Sequence, residues 1–314
     1  MRIGLDIMGG DYAPAETIKG VHSYFEQTPD SSVHLLLIGN ADAAAPYMSL
    51  LDPYQHRFTF VEAGEVIGMN EHPTKALKEK PNSSIAVGFG LLAKGKADAF
   101  MGAGNTGAML VGAMYSVKAI EGILRPTIAT PFPCINGKFN CILDAGINAD
   151  CKPEHLVQFA ELGSLYAQHV LGVEKPRVAL LNLGEEEGKG NILCQAVYPM
   201  LKELPGINFA GNIEGRDIFL DKGEVIVCEG FVGNIVIKMA ESFYDIFKVQ
   251  RGIKDEFLDN FDFQIFGGTP ILGINKPVII GHGISHAFAF KNMIDTCSKI
   301  ISSNLIGLFK EHFK

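Results

Sequence analysis

The stretch Gly102-Ala103-Gly104-Asn105-Thr106-Gly107 follows the pattern G-x-G-x-x-G and is the most informative guide to the fold of this chain. A short strand-like run over 97–101 precedes it, and a helix-like run over 108–114 follows it. The glycines therefore predict a strand-to-helix turn whose backbone N–H groups can point at an anion. Three interpretations compete: a dinucleotide pyrophosphate over the helix N-terminus, a smaller phosphate held by the same amides, or glycines that only allow close packing.

A dinucleotide site also needs an acidic residue about 20 positions further on, at the end of the second strand. Glu121 has this spacing, but it precedes the strand that we expect to begin near Thr127. Asn105 and Thr106 add side-chain donors inside the turn, which suits a compact tetrahedral anion. The turn therefore favours a small phosphate, and no cofactor is expected.

Strand-like and helix-like segments alternate along almost the whole chain. The predicted strands cover residues 2–7, 33–38, 57–61, 97–101, 177–182, 208–210, 225–228 and 277–280. The predicted helices cover residues 13–27, 41–51, 82–94, 108–114, 153–169, 191–204, 234–251 and 286–302. Such alternation predicts an α/β protein with a doubly wound, mainly parallel sheet and helices on both faces.

One hairpin interrupts the parallel pattern near the middle of the chain. Strands at 127–131 and 138–143 flank Asn136-Gly137, a dipeptide that favours a tight turn. No repeat, low-complexity tract or Gly/Ser-type linker is present. We therefore expect one unit over residues 1–314, or two intimate lobes with the active crevice between them.

Three further glycine turns follow predicted strands. They contain Gly9-Gly10, the run 183–190 and the run 230–234. In open α/β sheets ligands bind at the carboxyl ends of the strands, so these turns are predicted to converge with Gly102–Gly107 on one crevice.

Charge and composition exclude several classes of protein. The 314 residues carry a net charge of −8, which argues against nucleic-acid binding because that needs a basic face. No apolar run reaches the roughly 18–20 residues needed to span a bilayer, and the N-terminus lacks the layout of a signal peptide. We therefore expect a cytoplasmic protein that is soluble or lies on a membrane. The six scattered cysteines form no C-x-x-C motif and suit reduced, buried thiols.

Eight segments in order carry a family resemblance. They are LDIMGGDYAP at 5–14, AGNTGA at 103–108, LDAGINADCKP at 143–153, LLNLGEE at 180–186 with KG at 189–190, GNIEGRD at 211–217, EGFVGN at 229–234, GGTPILG at 267–273 and GHGIS at 281–285. Together they resemble the PlsX family of bacterial acyl-carrier-protein:phosphate acyltransferases over the full length. Ile147 and Thr269 stand where we expect alanine, and Glu229 where we expect aspartate.

The resemblance implies transfer of a fatty acyl group from acyl carrier protein to inorganic phosphate, giving acyl phosphate for phospholipid biosynthesis. It also implies a Rossmann-like α/β/α fold related to phosphotransacetylases and isopropylmalate dehydrogenases, a homodimer, and loose association with the cytoplasmic membrane. Two alternatives stay open: a short-chain phosphotransacetylase that uses acyl-CoA, and a non-catalytic phosphate-binding or membrane scaffold.

This chemistry needs no side-chain nucleophile, because phosphate is already anionic and a thioester has a good leaving group. We expect Gly104, Asn105, Thr106 and Gly107, with Gly9 and Gly10, to cradle phosphate. Lys189 would supply positive charge and Asn234 a donor, with Asn105 as the third catalytic residue. A solvated lysine at a helix N-terminus is the alternative for Lys189.

Other polar residues are expected to bind substrate or to hold the turns together; they are Asp6, Asp11, Asn148 and His282. Asp6, Asp11 and Asp144 follow or end strands, where aspartates cap backbone N–H groups more often than they bind a metal. His282 and His286 are four residues apart, but the glycines around His282 favour a turn over a helical metal pair. No metal is expected.

The segment 231–266 is rich in phenylalanine, and Val232, Val236, Met239, Phe243 and Ile246 recur at helical spacing. This stripe fits ordinary core, a dimer interface, an acyl-chain pocket or a membrane-facing tip. A basic patch for the acidic carrier protein could come from two lysine groups, which are Lys75, Lys78 and Lys80, or Lys94 and Lys96. A merely solvated surface is the alternative.

Overall fold

The computed structural model describes all 314 residues and divides them into two compact units. Unit 1 comprises Met1–Ala119 and Phe263–Ile306, and unit 2 comprises Ile120–Asp262 and Gly307–Lys314. Both units are therefore discontinuous in sequence.

The strands and helices alternate as the sequence predicts. The strands are β1 (Arg2–Asp6), β2 (His34–Gly39), β3 (Phe58–Glu62), β4 (Ala99–Gly102), β5 (Thr127–Ile128), β6 (Thr130–Pro133), β7 (Phe139–Leu143), β8 (Arg177–Leu181), β9 (Asn208–Ile213), β10 (Val225–Val227), β11 (Thr269–Leu272) and β12 (Val278–Ile280). The helices are α1 (Ala15–Gln27), α2 (Ala41–Met48), α3 (Pro73–Glu79), α4 (Ser84–Ala93), α5 (Thr106–Gly112), α6 (Pro153–His169), α7 (Ile192–Glu203), α8 (Gly230–Phe243), α9 (Glu256–Asp259), α10 (Ala287–Ser302) and α11 (Leu305–His312).

Unit 1 contains a sheet with the strand order β3-β2-β1-β4-β12-β11. Its strands are parallel except for β11, which runs antiparallel to β12. The central strands β4 and β12 are buried along their whole length, as parallel strands are when both faces of the sheet are covered. Helix α1 packs against α10, and α4 packs against β1.

Unit 2 contains a sheet with the order β6-β7-β10-β8-β9. The hairpin of β6 and β7 is antiparallel and the other pairs are parallel. Gly137 has a φ of +79° at the predicted turn, a conformation that glycine adopts without strain. The predicted α/β class with a mainly parallel arrangement is confirmed, and it takes the form of two sheets.

The sequence located the long elements better than the short ones. Helix α6 has the predicted bounds, whereas α3, β11 and α11 were missed. The predicted helix 234–251 was placed too late, because α8 begins at Gly230, where Glu229 accepts a hydrogen bond from the Val232 amide at 3.2 Å. A π-helical segment, Tyr244–Gln250, continues it.

The phenylalanine-rich segment 231–266 supplies several side chains that pack in the core of unit 2. Phe261 lies 5.1 Å from Phe257 and 5.6 Å from Phe219, measured between ring centroids. Val232 and Val236 pack against the same core, but Met239 and Ile246 are exposed. The prediction of ordinary core is therefore confirmed for the valines and wrong for those two residues.

All six cysteines are free thiols. Cys134, Cys141, Cys228 and Cys297 are buried, as expected, while Cys151 and Cys194 are only half-buried. None of the helices combines the length and the apolar character that crossing a membrane requires.

Candidate functional site

Two glycine turns of unit 1 are packed directly against each other. A Cβ atom added to Gly9 would lie 2.5 Å from the Gly104 nitrogen and 2.8 Å from its Cα. Such distances are far below a van der Waals contact, so the turn after β1 and the turn after β4 meet at glycine backbone. The glycines therefore allow this close approach, and whether they also serve a phosphate site stays a prediction.

Asp6 lies beneath both turns. Its side chain is almost fully buried, and Oδ1 accepts a hydrogen bond from the Met8 amide at 2.9 Å. Burial raises the pKa of the carboxyl, and donors from Ser84 and from the backbone of Met8 and Gly9 counteract this only in part. Asp6 therefore binds backbone amides of the turn that follows β1.

Asn105 is a structural link as well as a helix cap. Its Oδ1 accepts a hydrogen bond from the Ala108 amide at 2.9 Å and caps α5. Its Nδ2 lies 3.0–3.1 Å from the carbonyl oxygens of Gly68, Met69 and Glu71. Because an amide carries only two N–H hydrogens, this group is fully engaged within the protein.

The remaining donors of the turn are backbone amides. The N–H groups of Thr106 and Gly107 belong to the first turn of α5 and have no carbonyl in their own helix to bind. Thr106 is exposed, and Gly107 packs closely against Pro73. The amides and the Thr106 hydroxyl are thus the groups that an anion can reach here.

A third turn of unit 1 adjoins Gly10, which has a φ of +105°. The Asp11 amide donates to the Gly283 carbonyl at 2.7 Å, so the turns at 9–11 and 281–285 are linked. His282 lies in the turn at 281–285, as predicted, and its ring centroid lies 4.8 Å from that of Phe263. His286 instead precedes α10, stacks on Tyr12 at 4.4 Å and has its Nδ1 3.5 Å from Glu16 Oε2.

In unit 2, Asp144 organises the loop that follows β7. Oδ1 accepts from Thr127 Oγ1 at 3.0 Å and from the Ile128 amide at 3.1 Å. Oδ2 accepts from the Asn148 amide and from Asn148 Nδ2. The Asn148 carbonyl in turn accepts from the Gly230 amide at 2.8 Å, which ties this loop to the start of α8. Asp144 and the buried Asn148 therefore hold backbone in place, and no group of three His, Cys, Asp or Glu residues is arranged to hold a metal ion.

Lys189 and Asn234 are both exposed in unit 2. Lys189 lies in the loop between β8 and α7, and its side chain has no carboxylate within ion-pair distance. Asn234 lies in α8, and its Cβ is 3.3 Å from the position of a Cβ added to Gly146. The predicted residues thus fall into two groups: Lys189, Asn234 and Asn148 belong to unit 2, and the others belong to unit 1.

A cavity of about 540 Å³ lies beside the first turns of α7 and α8 in unit 2. Its lining residues are Ala149, Asp150, Cys151, Asn191, Ile192, Leu193, Glu229 and Phe231. Asn191 Oδ1 caps the Cys194 amide at 2.8 Å, and Glu229 Oε1 caps the Val232 amide. The cavity therefore offers a ligand both apolar side chains, those of Ile192, Leu193 and Phe231, and polar groups, including those of Asp150 and Glu229.

Burial raises the pKa of the Cys151 thiol, on the cavity wall, to about 11, and the nearby Asp144 carboxylate adds to the shift. Cys151 is therefore a neutral thiol near pH 7 and a poor nucleophile. Asn191 and Glu229 are cavity residues that the sequence does not predict, although an Asn or an acidic residue before a helix is a recognised cap signal.

Comparison with known proteins identifies the fold. The fold is that of the phosphotransacetylases: the Streptococcus pyogenes phosphotransacetylase matches with a TM-score of 0.65 and 17% identity, over 98% of this chain and 94% of that one. The EutD phosphotransacetylase of Staphylococcus aureus matches with a TM-score of 0.62 and 15% identity, over 97% and 94%.

The sequence comparisons go further than the fold. Residues 1–257 match the family described as "Fatty acid synthesis protein". Proteins named "Phosphate acyltransferase" from Heliobacterium modesticaldum and Halothermothrix orenii are 41% and 42% identical to this chain, over 99% of it and over 97% and 98% of their own lengths. The chain belongs to this phosphate acyltransferase family, and the predicted family, fold class and acyltransferase class are confirmed.

Proposed function

We propose that the protein transfers a fatty acyl group from acyl carrier protein to inorganic phosphate and releases acyl phosphate for phospholipid synthesis. The observation that carries this proposal is the near-complete coverage at 41% identity with relatives named phosphate acyltransferase. A phosphate oxygen attacks the thioester carbonyl carbon, the C–S bond breaks, and the carrier leaves as a thiolate that takes up a proton. No covalent enzyme intermediate is required.

Within unit 1, phosphate is held by the turn after β4. The free amides of Thr106 and Gly107 and the Thr106 hydroxyl donate to it, while Gly9, Gly10 and Gly104 let the backbone approach closely. Two observations support this: these amides have no acceptor in their own helix, and helix N-termini favour anions. Asn105 acts by fixing the turn, since its Nδ2 is engaged with 68–71.

Within unit 2, Lys189 supplies positive charge to an anionic reactant, and Asn234 donates to the oxygen on which charge develops. Lys189 suits this role because no carboxylate pairs with it, in contrast to Lys202 and Lys222. The acyl chain lies in the cavity beside Phe231 and Ile192, whose apolar side chains are exposed.

The acidic carrier protein docks on the lysines of unit 1 that have no ion-pair partner. Lys75 lies 3.9 Å from Glu79 and Lys80 lies 2.5 Å from Glu71, so their charges are partly neutralised. Lys78, Lys94 and Lys96 have no such partners, and we therefore infer that they contribute most to docking.

The protein acts as a cytoplasmic homodimer that touches the membrane surface. The exposed Ile235 and Met239 of α8 support a dimer contact. The exposed Phe247, Val249 and Ile253, together with Arg251, support contact with anionic lipid. A monomer in sedimentation, and full recovery in the supernatant after incubation with lipid vesicles, would contradict the two contacts.

The activity is tested by incubating the protein with phosphate and a long-chain acyl-carrier-protein thioester and trapping acyl phosphate with hydroxylamine. We expect phosphate-dependent product, and much faster reaction than with acetyl-CoA. Preference for acetyl-CoA would favour the short-chain phosphotransacetylase, and no thioester consumption would favour the non-catalytic scaffold.

Lys189→Ala should lower kcat on the order of 10²-fold, the scale for losing a group that stabilises developing charge. Lys175→Ala is the matched control, because Lys175 is an exposed lysine just before β8 whereas Lys189 follows the same strand. Equal turnover of the two variants would remove Lys189 from the mechanism.

A further inference from the structure

The loop 183–190, which carries Lys189, is held by side chains that bind its carbonyl oxygens. Asn212 Nδ2 donates to the Glu186 carbonyl at 2.9 Å, and Asn182 Nδ2 donates to the Lys189 carbonyl at 3.1 Å. Gln195 Nε2, in α7, lies 3.1 Å from both the Gly188 and the Gly190 carbonyls. The backbone on each side of Lys189 is therefore bound to one glutamine.

Two ion pairs also reach this loop but act further from Lys189. Lys222 Nζ lies 2.6 Å from Glu185 Oε1, and Lys202 Nζ lies 2.9 Å from Glu187 Oε2. Each of these side chains is at least two-fifths exposed, and exposed ion pairs contribute little to holding a structure. These two ion pairs involve Glu185 and Glu187, so the backbone of Gly188 and Gly190 must be restrained by other groups.

Glycines on both sides make the backbone at Lys189 intrinsically mobile. Gly190 has a φ of +102°, a conformation that other residues rarely adopt, and Gly188 has open space around it. The side chain of a lysine between two glycines has no fixed orientation unless hydrogen bonds restrain the peptide groups on both sides of it. The two N–H groups of Gln195 match the two carbonyls that need to be held.

We propose that Gln195 is a positioning residue: it fixes the peptides of Gly188 and Gly190 and so directs Lys189 toward the reacting groups. The inference rests on the function proposed for Lys189. Gln195 itself need not touch substrate, and its exposed side chain can be replaced without opening the core.

The test is a double-mutant cycle on kcat for acyl phosphate formation. Gln195→Met keeps the length of the side chain and removes both donors, and should lower kcat roughly tenfold, since small misplacements of catalytic groups cost up to about 10²-fold. The KM for the thioester should stay unchanged. In a Lys189→Ala background, Gln195→Met should have no further effect, because the residue acts through Lys189.

Gln158→Met is the matched control. Gln158 likewise donates through Nε2 to a glycine carbonyl, that of Gly122 at 2.8 Å, but in a loop that carries no predicted catalytic lysine. Its kcat should equal that of the wild type. Amide hydrogen exchange over 183–190 gives a second readout, and Gln195→Met should exchange faster there than Gln158→Met.

The outcomes separate the two proposals. If Lys189→Ala turns over like the wild type, the role of Lys189 is wrong whatever Gln195 does. If Lys189→Ala is impaired but Gln195→Met keeps full kcat, or lowers kcat by the same factor in both backgrounds, the positioning role of Gln195 is overturned. Unchanged exchange over 183–190 in Gln195→Met would also overturn it. Gln195→Ala serves as the second variant if Gln195→Met folds poorly.

Discussion

Gly9→Ala tests whether the two glycine turns of unit 1 depend on direct backbone contact. The added Cβ would lie 2.5 Å from the Gly104 nitrogen, 2.6 Å from Asp6 Oδ2 and 2.8 Å from the Gly104 Cα. Two of these three atoms belong to the backbone, and the third belongs to a buried side chain. None of them can move aside by a simple side-chain rotation. Relief requires the two turns to move apart.

The size of the effect follows from two opposing terms. Replacing glycine with alanine stabilises a protein by about 0.4–1 kcal/mol when the backbone conformation is compatible, because the unfolded chain loses freedom. Forcing extra atoms into a packed site costs typically about 1–3 kcal/mol, and here the shortest approach is roughly 1 Å below the optimum for non-bonded atoms. We expect the free energy of unfolding to fall by about 1–2 kcal/mol.

Gly64→Ala is the control, since no heavy atom lies within 4 Å of its added Cβ. It should raise the free energy of unfolding by about 0.5 kcal/mol, the entropic gain alone. The chain has no tryptophan, so urea unfolding is followed by far-UV circular dichroism, and the KM for phosphate is measured alongside. A Gly9→Ala protein as stable as Gly64→Ala would refute the reasoning.

Three further predictions concern other parts of the molecule. Asn105→Ala should lower the free energy of unfolding by about 2 kcal/mol in urea titration, because it removes a helix cap and the donors to 68–71; a loss confined to phosphate binding would show that Asn105 is a ligand and not a structural link. Burial raises the pKa of Glu224, but hydrogen bonds and charge from Arg177 outweigh this and leave it below its ordinary value. Its stabilisation is therefore present above the ordinary glutamate pKa and is lost as the pH falls through the lowered pKa. Glu224→Gln should therefore cost about 2 kcal/mol of unfolding free energy at pH 7, and this cost should shrink as the pH is lowered through the acidic range; a cost that does not change with pH would be contrary evidence. Ala149→Leu narrows the cavity and should raise the KM of long-chain thioesters relative to short-chain ones by roughly tenfold, about the effect of one or two methylenes; an unchanged chain-length profile would place the acyl chain elsewhere.

Local patterns predicted the elements whose signals lie within one segment. Pro153 at the first turn of α6 and an apolar periodicity over four turns fixed that helix at both ends. Asn136-Gly137 likewise predicted the hairpin of β6 and β7. Helix α3 has only seven residues, too few for an apolar periodicity to stand out from a loop.

The candidate site depends on contacts between residues that are far apart in the sequence, and local sequence patterns do not predict such contacts. The sequence identified Asn105 as a polar residue in a glycine turn, but its engagement with 68–71 joins residues more than thirty positions apart. Gly9 and Gly104 meet across a still longer separation. Gln195 belongs to no family segment recognised in the sequence, and only the positions of two loop carbonyls indicate its importance.

The discontinuity of unit 1 has a consequence for biosynthesis on the ribosome. Strand β12 lies between β4 and β11, and α10 packs on α1 through Glu16, which accepts a hydrogen bond from the Ala287 amide at 2.9 Å. A nascent chain that has passed β10 already holds every strand of the unit 2 sheet, while the first 119 residues still lack β12 and α10. Unit 2 at that point also lacks Gly307–Lys314, so neither unit is complete, and the face of α1 that packs against α10 stays uncovered until α10 has been synthesised. Completion of both units therefore depends on segments that follow residue 262.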